Sequence, residues 1–296
     1  MVELSMGARM KGMRYWLVEK VRWWVAGILD PAMKQLIGEL RMTGFGPRGP
    51  VLTNPLLAHG RRHFSQNDED GILLDILRRI GAAEPSAFIE FGVGTGIENN
   101  TIILLAFGWR GVWVGGESLA FELPKSGARL TFLERWITRD NAAALAQEGL
   151  ATLDLSLQDV RVASVDLDGN DGYIVRALLS AGLAPDIFIA EYNAKFPPGV
   201  EFEMPYNQEH HWQGDDYFGV SLQRWVKIFA PAGYTLVACN ETGSNAFFVK
   251  TMHMPHFADV PTNTEDLYKG GYYYRYPTTG HPTSPKTVRY LAMGQD

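Results

Sequence analysis

The stretch Phe88–Asn100, FIEFGVGTGIENN, ends an apolar run in the acid Glu90 and then turns through Gly92, Gly94 and Gly96. Glycines at alternate positions let a backbone leave a strand sharply and pass close to a ligand where side chains would collide. The residues that follow, IENNTIILLAFG, predict a helix whose first amides point into the turn. A dinucleotide-binding turn carries its third glycine where this chain has Ile97, so an NAD reading is weakened.

Outward from this turn, seven short apolar runs read as strands: AFIEFG, GVWVGG, LTFLERW, VRVASVDL, PDIFIAEY, YTLVACN and NAFFVK. Most are separated by stretches long enough for a helix, which predicts an α/β fold with a doubly wound, mostly parallel sheet covered by helices on both faces. The last two are separated only by ETGS. A parallel crossover needs roughly a dozen residues or more, so these two strands must form an antiparallel hairpin that closes the seven-stranded sheet.

The chain has 296 residues, 46% of them hydrophobic, enough for a full core in one large domain with extensions. The expected division is an N-terminal helical extension and loop over 1–62, the sheet domain over 63–250, and a tyrosine-rich tail over 251–296. A net charge of -6 provides no basic field for nucleic acid. The single cysteine, Cys239, excludes an intramolecular disulfide and fits a reducing compartment. No apolar run approaches about 18 uncharged residues, so no membrane span is expected. The segment YWLVEKVRWWVAGIL carries Glu19, Lys20 and Arg22 and does not read as a signal peptide; a cytoplasmic protein is the expectation. The tryptophan-rich helical pattern over residues 10–40 could cover the core, lie on a surface or dock a second copy, and the aromatic tail could serve self-association in the same way.

An acid followed by alternating glycines resembles the first motif of class I S-adenosylmethionine-dependent methyltransferases. The resemblance covers roughly residues 63–250. It implies that Glu90, Gly92, Gly94 and Gly96 border the cofactor's cationic amino-acid end. It also implies that Glu117, after GVWVGG, meets the ribose hydroxyls. Upstream, FSQNDEDGILLDILRRIG resembles the segment before the first strand in bacterial sugar and natural-product methyltransferases, which implies that Ser65 and Gln66 lie near the methionine end. Read as residues alone, Ser65 is a helix N-cap with Asp68 three positions on.

The densest chemistry is ASVDLDGNDGYIVRALL, which brings Asp166 and Asp168 to the end of the fourth strand, with IFIAEYNAKFPP bringing Glu191 and Asn193 to the end of the fifth. Neighbouring strands of a doubly wound sheet open at one edge, where these oxygens can converge. Oxygen ligands without cysteine suit Mg²⁺ rather than zinc. The arrangement resembles metal-dependent O-methyltransferases, which implies Asp166, Asp168, Glu191 and Asn193 as ligands, Asp168 acting also in catalysis, and a hydroxyl of a sugar, glycan or other small molecule as acceptor. DGND is equally an ordinary turn, and Asp171 can simply cap the next helix. Candidate bases are Lys195, His210 and His211. The last two sit in an aromatic segment over 197–218 that is too long for a bare connection and reads as a lid, with Tyr192, Tyr206, Trp212 and Tyr217 as stacking surface. Two alternatives stay open: a metal-independent methyltransferase with a histidine base, and a non-catalytic binding module.

Overall fold

The computed structural model describes residues 54–124, 127–271 and 281–293. The chain divides into two units, Met1–Val51 with Tyr272–Pro282, and Leu52–Gly271 with Thr283–Asp296. The first lies almost wholly outside the described residues, and so do the helix expected over 10–40 and most of the tail's tyrosine run.

Among the described residues of the second unit, seven strands form one sheet: β1 Ala87–Phe91, β2 Arg110–Gly115, β3 Leu130–Glu134, β4 Val160–Val165, β5 Ile187–Glu191, β6 Tyr234–Cys239 and β7 Asn245–Lys250. Each falls where an apolar run predicted it. The order is β3-β2-β1-β4-β5-β7-β6. All pairings from β3 to β5 are parallel, whereas β7 runs antiparallel to β5 and β6, as the short ETGS link required. The central strand β1 is buried at every residue, which explains why AFIEF is a continuous rather than an alternating apolar run.

The helices are α1 Glu69–Arg79, α2 Ile102–Ala106, α3 Ala142–Ala151, α4 Asp171–Ser180, α5 Leu222–Phe229, α6 Thr264–Leu267 and α7 Pro285–Ala292. In α5, Leu222, Trp225 and Phe229 are buried on one stripe, and the Ser221 hydroxyl accepts the amide of Arg224 to cap its start. Phe229 stacks on Trp225 and on Phe248 of β7, with ring centroids 5.3 and 4.4 Å apart. Burial of each such ring stabilises the fold by roughly 1.5–3 kcal/mol. No helix of the described residues is long and apolar enough to cross a membrane.

Two helix starts differ from expectation, each because a buried carboxylate competes for the backbone. The helix expected directly after the glycine turn begins only at Ile102. Glu90 accepts the amides of Asn100 and Thr101 at 3.0 and 3.1 Å and the Thr101 hydroxyl, so the preceding residues stay in turns. Ser65 is not an N-cap: α1 begins at Glu69, with Asp68 in the cap position and no side-chain cap bond. The amides of His63, Phe64 and Ser65 all donate to Asp70, at 2.7, 2.6 and 2.9 Å, which wraps that segment round the helix's first turn.

The register places the functional edge. Phe91 lies opposite both Val114 and Val165, so β1 and β4 end level with one another and β2 runs one residue further. Val165 lies opposite Ala190, so the next residues, Asp166 and Glu191, leave adjacent strands side by side. Gly92 has φ +85°, and a Cβ there would stand 1.6 Å from the Asp166 carbonyl oxygen. Gly94 has φ +47° but open space where a side chain would point. Urea denaturation should therefore show Gly92→Ala losing about 3 kcal/mol or more, from overpacking added to the left-handed backbone, and Gly94→Ala losing only about 1–2 kcal/mol.

Candidate functional site

The carboxyl ends of β1, β2, β4 and β5 form one edge, and the strand order reverses direction at β1, whose neighbours are β2 and β4. A sheet of this kind opens a crevice there. Asp166 follows β4, Glu191 ends β5, and Asp168 completes the group: one oxygen from each lies within 4.8 Å of the others.

Like charges this close resist ionisation. Burial, then repulsion from Asp168, Asp171 and Glu90, pushes Asp166 well above the usual carboxylate range. Burial, then Asp166, Asp168 and Asp171, does the same to Glu191. Asp168 reaches solvent at the rim, yet burial of its carboxyl, then repulsion from Asp171 and Glu117, raises it to about 6. Asp166 and Glu191 are close enough to share a hydrogen bond, while Glu191 Oε2 is buried without a partner. An orphaned carboxylate oxygen among three mutually repelling acids fits a hard divalent cation, whose charge relieves the repulsion and occupies the unused acceptor.

The turn that carries Asp168 is shaped by Asp171, the first residue of α4. Its buried carboxylate accepts the amides of Leu167 and Gly169 at 2.7 and 2.9 Å, and between them Asp168 takes φ +52°. Aspartate tolerates this left-handed conformation better than most residues. Asp171 is thus a shaper of the turn as well as a helix-start residue, a role its place after DGN only partly announced.

Asn193 does not join the acids. Its side-chain amide donates to the carbonyls of Asp216 and Phe218 at 2.9 and 3.0 Å, and its oxygen accepts the Lys195 amide at 3.1 Å. β5 ends at Glu191, so Asn193 already belongs to the following loop and anchors it. Lys195 is half-buried beyond it.

Of the two histidines, the structure brings only His210 to the acid turn. Its Nε2 lies 3.1 Å from the Asp168 carbonyl oxygen, and a Cβ on Gly169 would stand 2.4 Å from its ring. A carbonyl can only accept, so Nε2 carries the hydrogen and Nδ1 is left with a lone pair. Burial lowers the His210 pKa and favours the neutral ring. His211 is exposed and packs on Trp136, ring centroids 4.7 Å apart.

The segment over 197–218 is a packed structure. Phe196, Phe202 and Met204 form a small core with Val200, Tyr217 and Tyr290. Glu203 pairs with Arg176 of α4 and with Arg224 of α5. Asn170 and Asn207 exchange bonds: Asn170 Nδ2 donates to the Asn207 carbonyl at 2.7 Å, and the Asn207 amide donates to Asn170 Oδ1 at 3.1 Å. Asp216 accepts the Ser284 amide and the Thr287 hydroxyl, at 2.8 and 2.7 Å, joining α7 to the segment. Tyr206 carries the Arg139 guanidinium 4.5 Å above its ring. Tyr192, expected as stacking surface, is buried, with its hydroxyl bonded to the Lys269 carbonyl.

On the glycine side, Gly96 is closed by Leu119, whose Cδ2 would stand 2.7 Å from an added Cβ, leaving Gly94 as the open position. The Glu90 carboxylate is buried and holds the far end of the turn; burial raises its pKa against the hydrogen bonds it accepts. Asn99 Oδ1 is buried in the same turn without a partner. Glu117 is exposed just beyond β2, close enough to Asp168 to act on its ionisation. Ser65 is buried and Gln66 exposed on the loop held by Asp70.

No protein-family model matches the sequence, and no curated protein matches it. Among solved structures, it is similar to a protein named as a hemolysin from Streptococcus thermophilus at 16% identity, covering 79% of each chain with a TM-score of 0.40. It is similar to Burkholderia thailandensis 1,6-didemethyltoxoflavin-N1-methyltransferase with S-adenosylhomocysteine bound, at 16% identity, covering 61% of this chain and 74% of that one with a TM-score of 0.35. It is also similar to CalO1, a methyltransferase in calicheamicin biosynthesis, at 15% identity, covering 73% of this chain and 68% of that one with a TM-score of 0.32. Likenesses this loose say nothing about chemistry, which has to come from the side chains themselves.

The raised acids fix the sign of a pH effect. Without a cation the folded state holds protons that the unfolded chain has released, so stability from this group falls as pH rises from the ordinary carboxylate range through about 6. A cation competes with those protons and binds better above that range. Mg²⁺ or Mn²⁺ at about a hundred times its Kd should raise Tm by roughly 5–10 °C near pH 7.5 and far less near pH 5, and the Asp168→Asn/Glu191→Gln pair should remove the shift.

Proposed function

We propose that this chain transfers a methyl group from S-adenosylmethionine to a hydroxyl oxygen of a sugar, glycan or small natural product, assisted by a divalent cation such as Mg²⁺. One juxtaposition carries the reading: the glycine turn after β1 and the acids Asp166, Asp168 and Glu191 open on the same edge, with a Cβ at Gly92 reaching the backbone of Asp166. A donor seated at the turn and an acceptor held near the acids would therefore meet.

S-adenosylmethionine, when bound, supplies a methyl group on a positively charged sulfur. The backbone around Gly94 gives it close approach, Glu117 accepts from ribose hydroxyls, and Ser65 and Gln66 border the methionine end. Glu90 contributes by holding the turn through Asn100 and Thr101. Asp166, Asp168 and Glu191 are the residues that would hold the cation, which supplies positive charge beside an ionising hydroxyl.

His210 is the best-placed base. Its ring is oriented by the Asp168 carbonyl, burial favours its neutral form, and Nδ1 is free to take the hydroxyl proton. Lys195 is left as a second source of positive charge behind the fifth strand. His211, on Trp136, offers ring surface to an acceptor together with Trp212 and Tyr206. The orientation of His210 also favours a second reading, the same transfer without metal.

Isothermal titration calorimetry should show saturable S-adenosylmethionine binding that Glu117→Ala weakens and Asp168→Asn spares. With methyl-labelled donor and a panel of sugars and glycosides, His210→Ala should lower kcat by roughly 10²–10⁴-fold. Asp168→Asn or EDTA should lower turnover about 100-fold or more. Turnover indifferent to EDTA moves the reading to the metal-independent enzyme. Absence of donor binding, with or without Mg²⁺, overturns both.

A further inference from the structure

The opposite edge of the sheet holds a second recess that the transfer reaction does not use. It lies where β1, β2, β3 and β4 begin, has a volume of about 420 Å³, and its lining includes Ser86, Arg110, Arg129, Gln158, Asp159 and Arg161. That volume falls within the roughly 300–1,000 Å³ of small-molecule sites. Three guanidinium groups therefore face one cavity in a chain whose net charge is -6.

The single acid of the lining is already engaged. Asp159 accepts the amide and the hydroxyl of Ser156 at 2.8 and 2.7 Å, and those bonds, with Arg110 nearby, hold its pKa below the usual range. Arg110 donates to the Leu153 carbonyl at 3.0 Å, and Arg161 pairs with Asp186, which also meets Lys250 and His253. Each of these two guanidiniums has five N–H donors, more than those contacts use. Arg129 has no hydrogen bond or ion pair to any described side chain; its Nη1 would stand 3.7 Å from a Cβ on Gly108, at the recess wall. Three arginines so gathered, with unused donors and Asp159 as the only carboxylate of the lining, match a multivalent oxyanion, and guanidinium forks match phosphate oxygens two at a time.

We propose that this recess binds the phosphate or diphosphate group of a small phosphorylated ligand, through Arg129 with Arg110 and Arg161, at an edge of the sheet opposite the acid cluster. The inference is independent of the transfer reaction, because the two sites share no residue.

The test is calorimetric titration with inorganic phosphate and pyrophosphate at constant ionic strength without divalent metal. Saturable binding is expected, tighter for pyrophosphate, with Arg129→Gln weakening it by roughly tenfold and Arg110→Gln/Arg129→Gln removing it. Arg129→Lys, which keeps the charge and loses the fork, should fall between wild type and Arg129→Gln. Because the Arg129 side chain holds no partner among the described residues, its variants should keep the wild-type Tm, which separates loss of binding from loss of fold. No saturable binding up to about 10 mM, or binding that the Arg129 and Arg110 variants leave unchanged, overturns the proposal.

Discussion

The pairing of β4 with β5 governs everything at the functional edge. With Val165 opposite Ala190, Asp166 and Glu191 have no freedom to separate, because a slip by one residue would swap the faces of a strand whose side chains are packed on both. The hydrophobic core thus holds two carboxylates together against their own repulsion. The neighbouring turn adds a third, Asp168, through amide bonds to Asp171 that fix the backbone on either side of it. A cluster of this kind is maintained by the burial of groups that never touch it.

The two buried acids at the ends of the neighbouring loops work differently. Glu90 and Asp70 each collect several donors at one carboxylate, and each thereby fixes a loop. Each accepts backbone amides, at both oxygens of Glu90 and at Oδ2 of Asp70, whereas Asp166, Asp168 and Glu191 stand mainly against one another. The contrast is between acids with amide partners and acids with mainly one another.

The same contrast explains which features the sequence disclosed. Strands were legible because each is an apolar run that core burial demands, and the antiparallel hairpin followed from a link too short for anything else. Asp166 and Glu191 were legible because they stand at strand ends, and Asp168 because the DGND turn follows directly on one of them. Asn193 was expected beside these acids, and what local pattern did not reveal is that its amide answers carbonyls at 216 and 218 that are remote in sequence. Ser65 looked like a cap because local pattern does not reveal that Asp70 draws three amides to itself. His210 and His211 are neighbours in sequence, and only tertiary packing on Gly169 and on Trp136 distinguishes them. The arginine recess left no local trace at all, since its cations come from the starts of separate strands.

The exchange between Asn170 and Asn207 has a mechanical consequence. Its two bonds join the same pair of residues in opposite directions, so separating the residues ruptures both at once. Asn170 is also adjacent to the turn bearing Asp168, and Asn207 lies three residues before His210. The pair therefore acts as one two-bonded tie between the carboxylate turn and the residues leading to His210, beside the separate anchors of the segment at Glu203 and Asp216.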